Sequence, residues 1–120
     1  MIAYIFPSPL ISETTDKELI PENIYQKVDY YAEKYHVSAS VMHAVVKCES
    51  EYQIDVQSKH IRPDGTREKS FGLSQIYLPS HPDVSYEEAI DPDFALEFMA
   101  EKFSKGKQGL WSCYKDLFGV

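Results

Sequence analysis

The sequence predicts a mainly α single domain with a small hairpin or irregular insert. Three observations carry this. Apolar residues recur at helical spacing in three separate stretches, around Ile24–Tyr35, Met42–Glu49 and Ala95–Phe103. Between the second and third, residues 52–70 have no helical period and contain the turn signal Arg62-Pro63-Asp64-Gly65-Thr66-Arg67. The 120 residues, 43% hydrophobic and 26% charged, make one soluble domain, long enough to bury a core without metals or many disulfides.

Residues 1–19 show no clear period, and the polar run Ser12–Glu18 reads as a tail or linker, so the folded domain is expected over 20–120. Met1–Leu10 is apolar but has no basic n-region and no small-residue cleavage site, and Pro7 and Pro9 interrupt it. It does not read as a signal peptide. A removed signal, a phage protein released by another route, or a piece of a longer chain would each account for that. Pro21-Glu22 suits a first helical turn, and Ile24, Val28, Tyr31, Ala32 and Tyr35 then mark one face of a helix of about four turns, ended by His36-Val37. Ser38 or Ser40 can cap the next helix.

That second helix places Met42, Val45, Val46 and Glu49 on one face. The flanks of the following 62–67 turn are expected to pair as a short hairpin. Lys59, His60, Arg62, Arg67 and Lys69 make this stretch basic, either as a solvated loop or as a positive rim facing an anionic polymer. Beyond Pro79 and Pro82, Asp91-Pro92-Asp93 is a strong helix start: an N-cap, a proline at the first position and an acid at the positive dipole end. Ala95, Phe98, Met99 and Phe103 form its buried stripe, and Lys102, Lys105, Gly106 and Lys107 suit its C-terminus. A short last helix includes Leu110, Trp111, Tyr114 and Leu117.

Charge and composition exclude several function classes. The net charge of -7 argues against a nucleic-acid partner, which requires a basic stripe. No apolar run is long enough to span a bilayer. His36, His43, His60 and His81 have no ligand spacing, and Cys48 and Cys113 stand too far apart for a zinc motif, so no metal is expected. The residues alone leave the cysteines as either two buried thiols or one disulfide; the disulfide would contribute roughly 4 kcal/mol through loop closure and mark an oxidising compartment.

Glu49 is the anomaly. It closes an apolar stripe where a core residue belongs. Burial and the negative end of the helix dipole would both raise its pKa, suiting it to protonate a leaving glycosidic oxygen. The plainer alternative is a half-exposed helix-end glutamate paired with a lysine. Glycoside hydrolysis ordinarily takes two carboxylates, yet nothing in the settings of Glu51, Asp55 or Asp64 selects a partner, which points to a single-carboxylate mechanism.

Cys48-Glu49-Ser50, then Ser58, nine residues after the glutamate, then Gly72-Leu73-Ser74-Gln75-Ile76, in that order, resemble the soluble lytic transglycosylase (SLT) domain of the lysozyme-like superfamily. The likeness extends over about 22–116, through the lead-in helices and the helix after Asp91-Pro92. It implies a lysozyme-like fold with Glu49 as catalytic acid/base in a cleft between helical parts. Ser58 would orient the scissile sugar, Gln75 and the backbone from Gly72 and Leu73 to Ile76 would line the groove, and Tyr114 would bring its hydroxyl near Glu49. The implied reaction cuts the β-1,4 bond after N-acetylmuramic acid in peptidoglycan, leaving a 1,6-anhydro sugar, with no cofactor. The family brings Cys48 and Cys113 close together, which favours the disulfide. The partner would be glycan strands of the cell wall, the site of action the periplasm, the cell exterior or a phage-released setting, and a monomer the default state.

The departures bear on the details. Ser74 stands where the family has methionine, so sugar packing there differs. The loop 59–70 is long, and its basic residues suit contact with peptide-stem carboxylates. Trp111-Ser112-Cys113-Tyr114 replaces an Ala-Tyr-Asn pattern. Tyr52, Phe71, Tyr77 and Trp111 flank the motifs as candidates for stacking on sugars. Two alternatives stand beside this reading: a goose-type hydrolytic muramidase using the same glutamate, and a non-catalytic wall-binding module.

Overall fold

The computed structural model describes residues 19–119, so of the expected tail only Leu19 falls within it. Among those residues are five α-helices and one two-stranded sheet. α1 spans Ile24–Lys34. It begins after Pro21 because Asn23 takes the cap, its side chain accepting from Gln26 N at 3.0 Å. Its 11 residues make about three turns, not four. It ends where His36 turns left-handed (φ 57°) and the N–H groups of His36 and Val37 return to Glu33 O and Ala32 O. α2, Ala39–Ser50, is capped by Ser38, which accepts from Val41 N.

The insert is built from two successive turns. Around Pro63–Gly65 the flanks pair as the short hairpin expected there, through the antiparallel bridge Ile61↔Arg67 and the backbone bonds Arg62 N to Thr66 O and Glu68 N to His60 O, though too briefly to form strands. The true strands lie one turn further on: β1 (Ser70–Phe71) runs antiparallel to β2 (Ile76–Tyr77), with Ser70 opposite Tyr77 and Phe71 opposite Ile76. The motif Gly72–Gln75 is therefore the turn of the hairpin. Gly72 has φ 86°, and a Cβ there would sit 1.9 Å from Ala89 O, so glycine is required by both conformation and space.

A one-turn α3, Tyr86–Ala89, carries a capping box between Ser85 and Glu88. α4, Pro92–Ser104, starts as its signal predicts, with Asp91 accepting from Phe94 N, and ends at Gly106 (φ 74°) with Lys107 N on Lys102 O. α4 packs against both α1 and α3, which explains why Leu96 and Ala100 are fully buried beside the expected Ala95, Met99 and Phe103, while Phe98 is only partly covered. Two carboxylates of α4 also lock it to α1. Asp93 takes Lys27 Nζ (3.0 Å) and Tyr31 Oη (2.9 Å), and one turn later Glu97 takes Lys34 Nζ and Tyr35 Oη. α5, Ser112–Phe118, is shorter than expected: Trp111 is its cap, Leu110 precedes it in a 3-10 turn, and Leu110 and Leu117 are exposed.

α1, α2, α4 and Leu73 of the hairpin turn enclose the core, in which Val28, Met42, Val45, Val46, Leu73, Leu96 and Met99 are fully buried. Each such side chain contributes about 1.5–3 kcal/mol. Of the two states open to the cysteines, the structure has the disulfide. Cys48 at the end of α2 is bonded to Cys113 at the start of α5, and those two helices pack together.

Candidate active site

Glu49 is the penultimate residue of α2, and it is half-buried. The helix stops immediately after it because Glu51 and Tyr52 are both left-handed (φ 52° and 61°), a conformation costing on the order of 1–3 kcal/mol per non-glycine residue. This turn sends the chain away from the core and leaves Glu49 at the wall of a cleft of about 620 Å³. Ser58, Glu68, Gln75 and Ser112 line the same cleft. A second cavity, about 260 Å³, meets it across Glu49, Glu68, Gln75 and Ser112 and adds Arg62, Tyr77 and Trp111.

Glu49 stands between two helix ends. It lies at the C-terminal, negative end of α2, and its Oε2 accepts from Cys113 N at 3.3 Å in the first turn of α5. Its pKa is raised, first by burial; the Cys113 N–H opposes this, and the charges of Glu68 and then Asp116 add to it. The direction is the one the apolar stripe predicts. The balance is richer, because α5 supplies a donor that the linear sequence does not show. A carboxyl so placed holds its proton to higher pH than a free glutamate and can deliver it into the cleft.

Ser58 and Gln75 come to the cleft with Glu49. Ser58 Oγ accepts from His60 N (3.1 Å), and its backbone N–H donates to Ser70 O (2.9 Å), fixing its place beside the hairpin. Gln75 is left-handed (φ 50°) and its Nε2 donates to Val56 O and Gly72 O, both at 3.0 Å, so the side chain is rigidly held. The rest of the motif serves packing. Gly72 is backed against α3, Leu73 and Ser74 are fully buried, and Ile76 is nearly so, though it borders a separate cavity with Tyr77 and Trp111. Ser74, read from sequence as a groove residue, instead accepts Trp111 Nε1 on its backbone oxygen at 2.7 Å; its hydroxyl has no partner among the described residues.

Tyr114 does not face Glu49. It lines a different cavity with Tyr35, Val41 and Phe103, and it packs on Phe103 and Phe118. The reason is helical rotation: two residues after Ser112 is about 200° around α5. Ser112 and the Cys113 N–H occupy the side facing Glu49 instead. Tyr52 is likewise directed elsewhere, bonded to His43 Nδ1 (2.9 Å), whose Nε2 meets Asp29 (2.8 Å). Phe71 packs on Tyr86. Of the four aromatics, Tyr77 and Trp111 border the Glu49 cavity. The described residues contain no group of His, Cys, Asp or Glu fit to hold a metal ion.

Glu68 is the residue that sequence reasoning missed. It lines both cavities together with Glu49, half-buried, and its Oε2 accepts from the buried Ser70 Oγ at 2.7 Å. Its signal was alternation. In the extended run into β1, Glu68 and Ser70 point inward while Arg67 and Lys69 are exposed. Among the other acids, Glu51 lines the cleft, Asp64 is engaged in its own turn with Thr66, and Asp55 is exposed.

No protein-family model, no curated protein and no solved structure matches the chain.

Proposed function

We propose that the chain is a peptidoglycan lytic transglycosylase with a lysozyme-like fold and Glu49 as its single acid/base. The observation that carries this reading is Glu49 itself: a half-buried carboxyl with a raised pKa, opening into a cleft shared with Ser58 and Gln75. The protonated Glu49 gives its proton to the oxygen linking N-acetylmuramic acid to the next sugar, and that bond breaks. The C6 hydroxyl of the same muramic acid then attacks C1 and returns its proton to the Glu49 carboxylate. An anhydro ring closes, and no water is consumed. The disulfide accords with action outside the cytoplasm on glycan strands. No helix of the described residues is long and apolar enough to cross a membrane.

A second reading, the goose-type hydrolytic muramidase, is favoured by Glu68. Glu68 is a second carboxylate lining the same cleft as the acid, and activation of a water calls for such a second carboxylate. In both readings Glu49 is indispensable. Clearing of a purified cell-wall suspension tests it: the wild type clears the walls and Glu49→Gln does not. If wild type and variant bind walls equally and neither clears them, the chain is a binding module.

A further inference from the structure

The insert has an outer face as well as the inner one. Arg62, Arg67 and Lys69 line a separate cavity of about 180 Å³ with Thr66, Tyr77 and Pro79. In a chain of net charge -7 this cavity has three cationic side chains and no carboxylate in its wall. Among the described residues the ion pairs engage Lys27, Lys34, His43 and Lys105 and none of these three cations, although the Asp64 carboxylate of the adjoining turn, its pKa lowered first by its bonds from Thr66, is close enough for the Arg62 charge to lower it too. Their frame is rigid. Arg62 N donates to Thr66 O (2.7 Å), Glu68 N to His60 O (2.8 Å) and Leu78 N to Lys69 O (3.0 Å). The Arg67 side chain is tied to Ser58 O and Gln57 O, and the Arg62 guanidinium lies over the Tyr77 ring at 5.6 Å. Arg62 and Tyr77 also line the second Glu49 cavity. The cationic pocket therefore adjoins the second Glu49 cavity along Arg62 and Tyr77, and the extended run Arg67–Ser70 separates them, with Glu68 and Ser70 lining the Glu49 cavity and Arg67 and Lys69 the pocket.

We propose that this pocket binds the carboxylates of the peptide branch carried by the glycan strand in the Glu49 cleft, so that the preferred substrate is peptide-bearing, not stripped, glycan. The proposal rests on the reading of that cleft as a peptidoglycan site. Guanidinium and ammonium groups held together in this way recognise a carboxylate through charge-assisted hydrogen bonds. The muramic acid whose bond is cut is also the sugar that bears the peptide, so a branch leaving the cleft over Arg62 and Tyr77 enters the pocket directly.

The test compares intact, peptide-bearing glycan with the same glycan stripped of its peptides by an amidase, using wild type and Lys69→Glu. Lys69 lines the cationic pocket and not the Glu49 cleft. The wild type is expected to cut peptide-bearing strands at least tenfold better in kcat/KM. Lys69→Glu should lose most of that preference through KM, and raising the salt should erode it in the wild type. A wild type without preference, or a variant that keeps it, overturns the proposal. Binding of an isolated stem peptide with a free C-terminal carboxylate, followed by NMR at the Arg62 side chain and the Tyr77 ring, separates this from the fate of the Glu49 reading. Shifts lost in Lys69→Glu support the subsite even if no strand is cut. No shift at millimolar peptide, or equal shifts with inorganic phosphate, overturn it.

Discussion

Replacing Cys48 and Cys113 together by serine removes a link between residues 65 apart in sequence. Closing a loop of that length restricts the unfolded chain by about 4 kcal/mol at 25 °C. With a urea slope of about 2 kcal/mol/M, the unfolding midpoint should fall by roughly 2 M. Urea melts of the wild type with and without a thiol reductant give the same comparison without mutation. The link also fixes a joint of the site, because Cys113 N is the donor to Glu49 Oε2. Cell-wall cleavage measured where the variant is still folded should therefore fall in kcat with KM little changed. A midpoint shift below about 0.5 M would refute the loop-closure reasoning, since the cross-link would then hold nothing that packing of α2 on α5 does not already hold. A normal kcat in a folded variant would refute the coupling to Glu49.

Three more predictions follow from the site. Glu49 has a folded-state pKa above its ordinary value of 4.5, so the native state binds that proton more tightly than the unfolded chain and loses stability as pH rises from 4.5 through the raised value. Glu49→Gln should then be more stable than wild type at neutral pH, with the gap closing below about pH 4.5 in urea melts across pH; equal stability at neutral pH would contradict this. Glu68→Gln removes a charge that raises the Glu49 pKa, so the alkaline limb of the kcat/KM profile should move to lower pH, and an unmoved limb would show that Glu68 does not act on Glu49. Gly72→Ala forces a methyl against Ala89 O at a left-handed position and should unfold the hairpin or cost several kcal/mol, read as a lower Tm; a near-normal Tm would mean that α3 moves freely from the turn.

The helices and their caps were legible because their signals are local. Ser38 and Asp91 cap where spacing predicts, and Met42, Val45 and Val46 are buried as their period requires. The Ser85–Glu88 capping box is a local signal too, but a one-turn helix is too short to show the period that would mark it. Glu49, Ser58 and Gln75 share the cleft, but what surrounds them depends on contacts between distant segments. The Cys113 N–H is 64 residues from Glu49 in the chain, and no spacing rule brings it there. Tyr114 was misplaced because a motif position does not carry the rotational phase of a new helix. Glu68 is hard to read from sequence because an inward carboxylate in a short extended run has only alternation to mark it. The basic stretch divided for the same reason: Lys59 and His60 border the cleft, and Arg67 and Lys69 the outer pocket.

The proposed function requires Glu49 to cut the glycan without water. Mass spectrometry of the soluble fragments released from purified peptidoglycan, with Glu49→Gln run alongside, measures this directly. The expected products are muropeptides ending in the anhydro sugar, one water lighter than hydrolytic products and absent with the variant. Fragments with ordinary reducing ends would contradict it and move the chain to the hydrolytic muramidases, and fragments released equally by Glu49→Gln would remove Glu49 from the chemistry altogether.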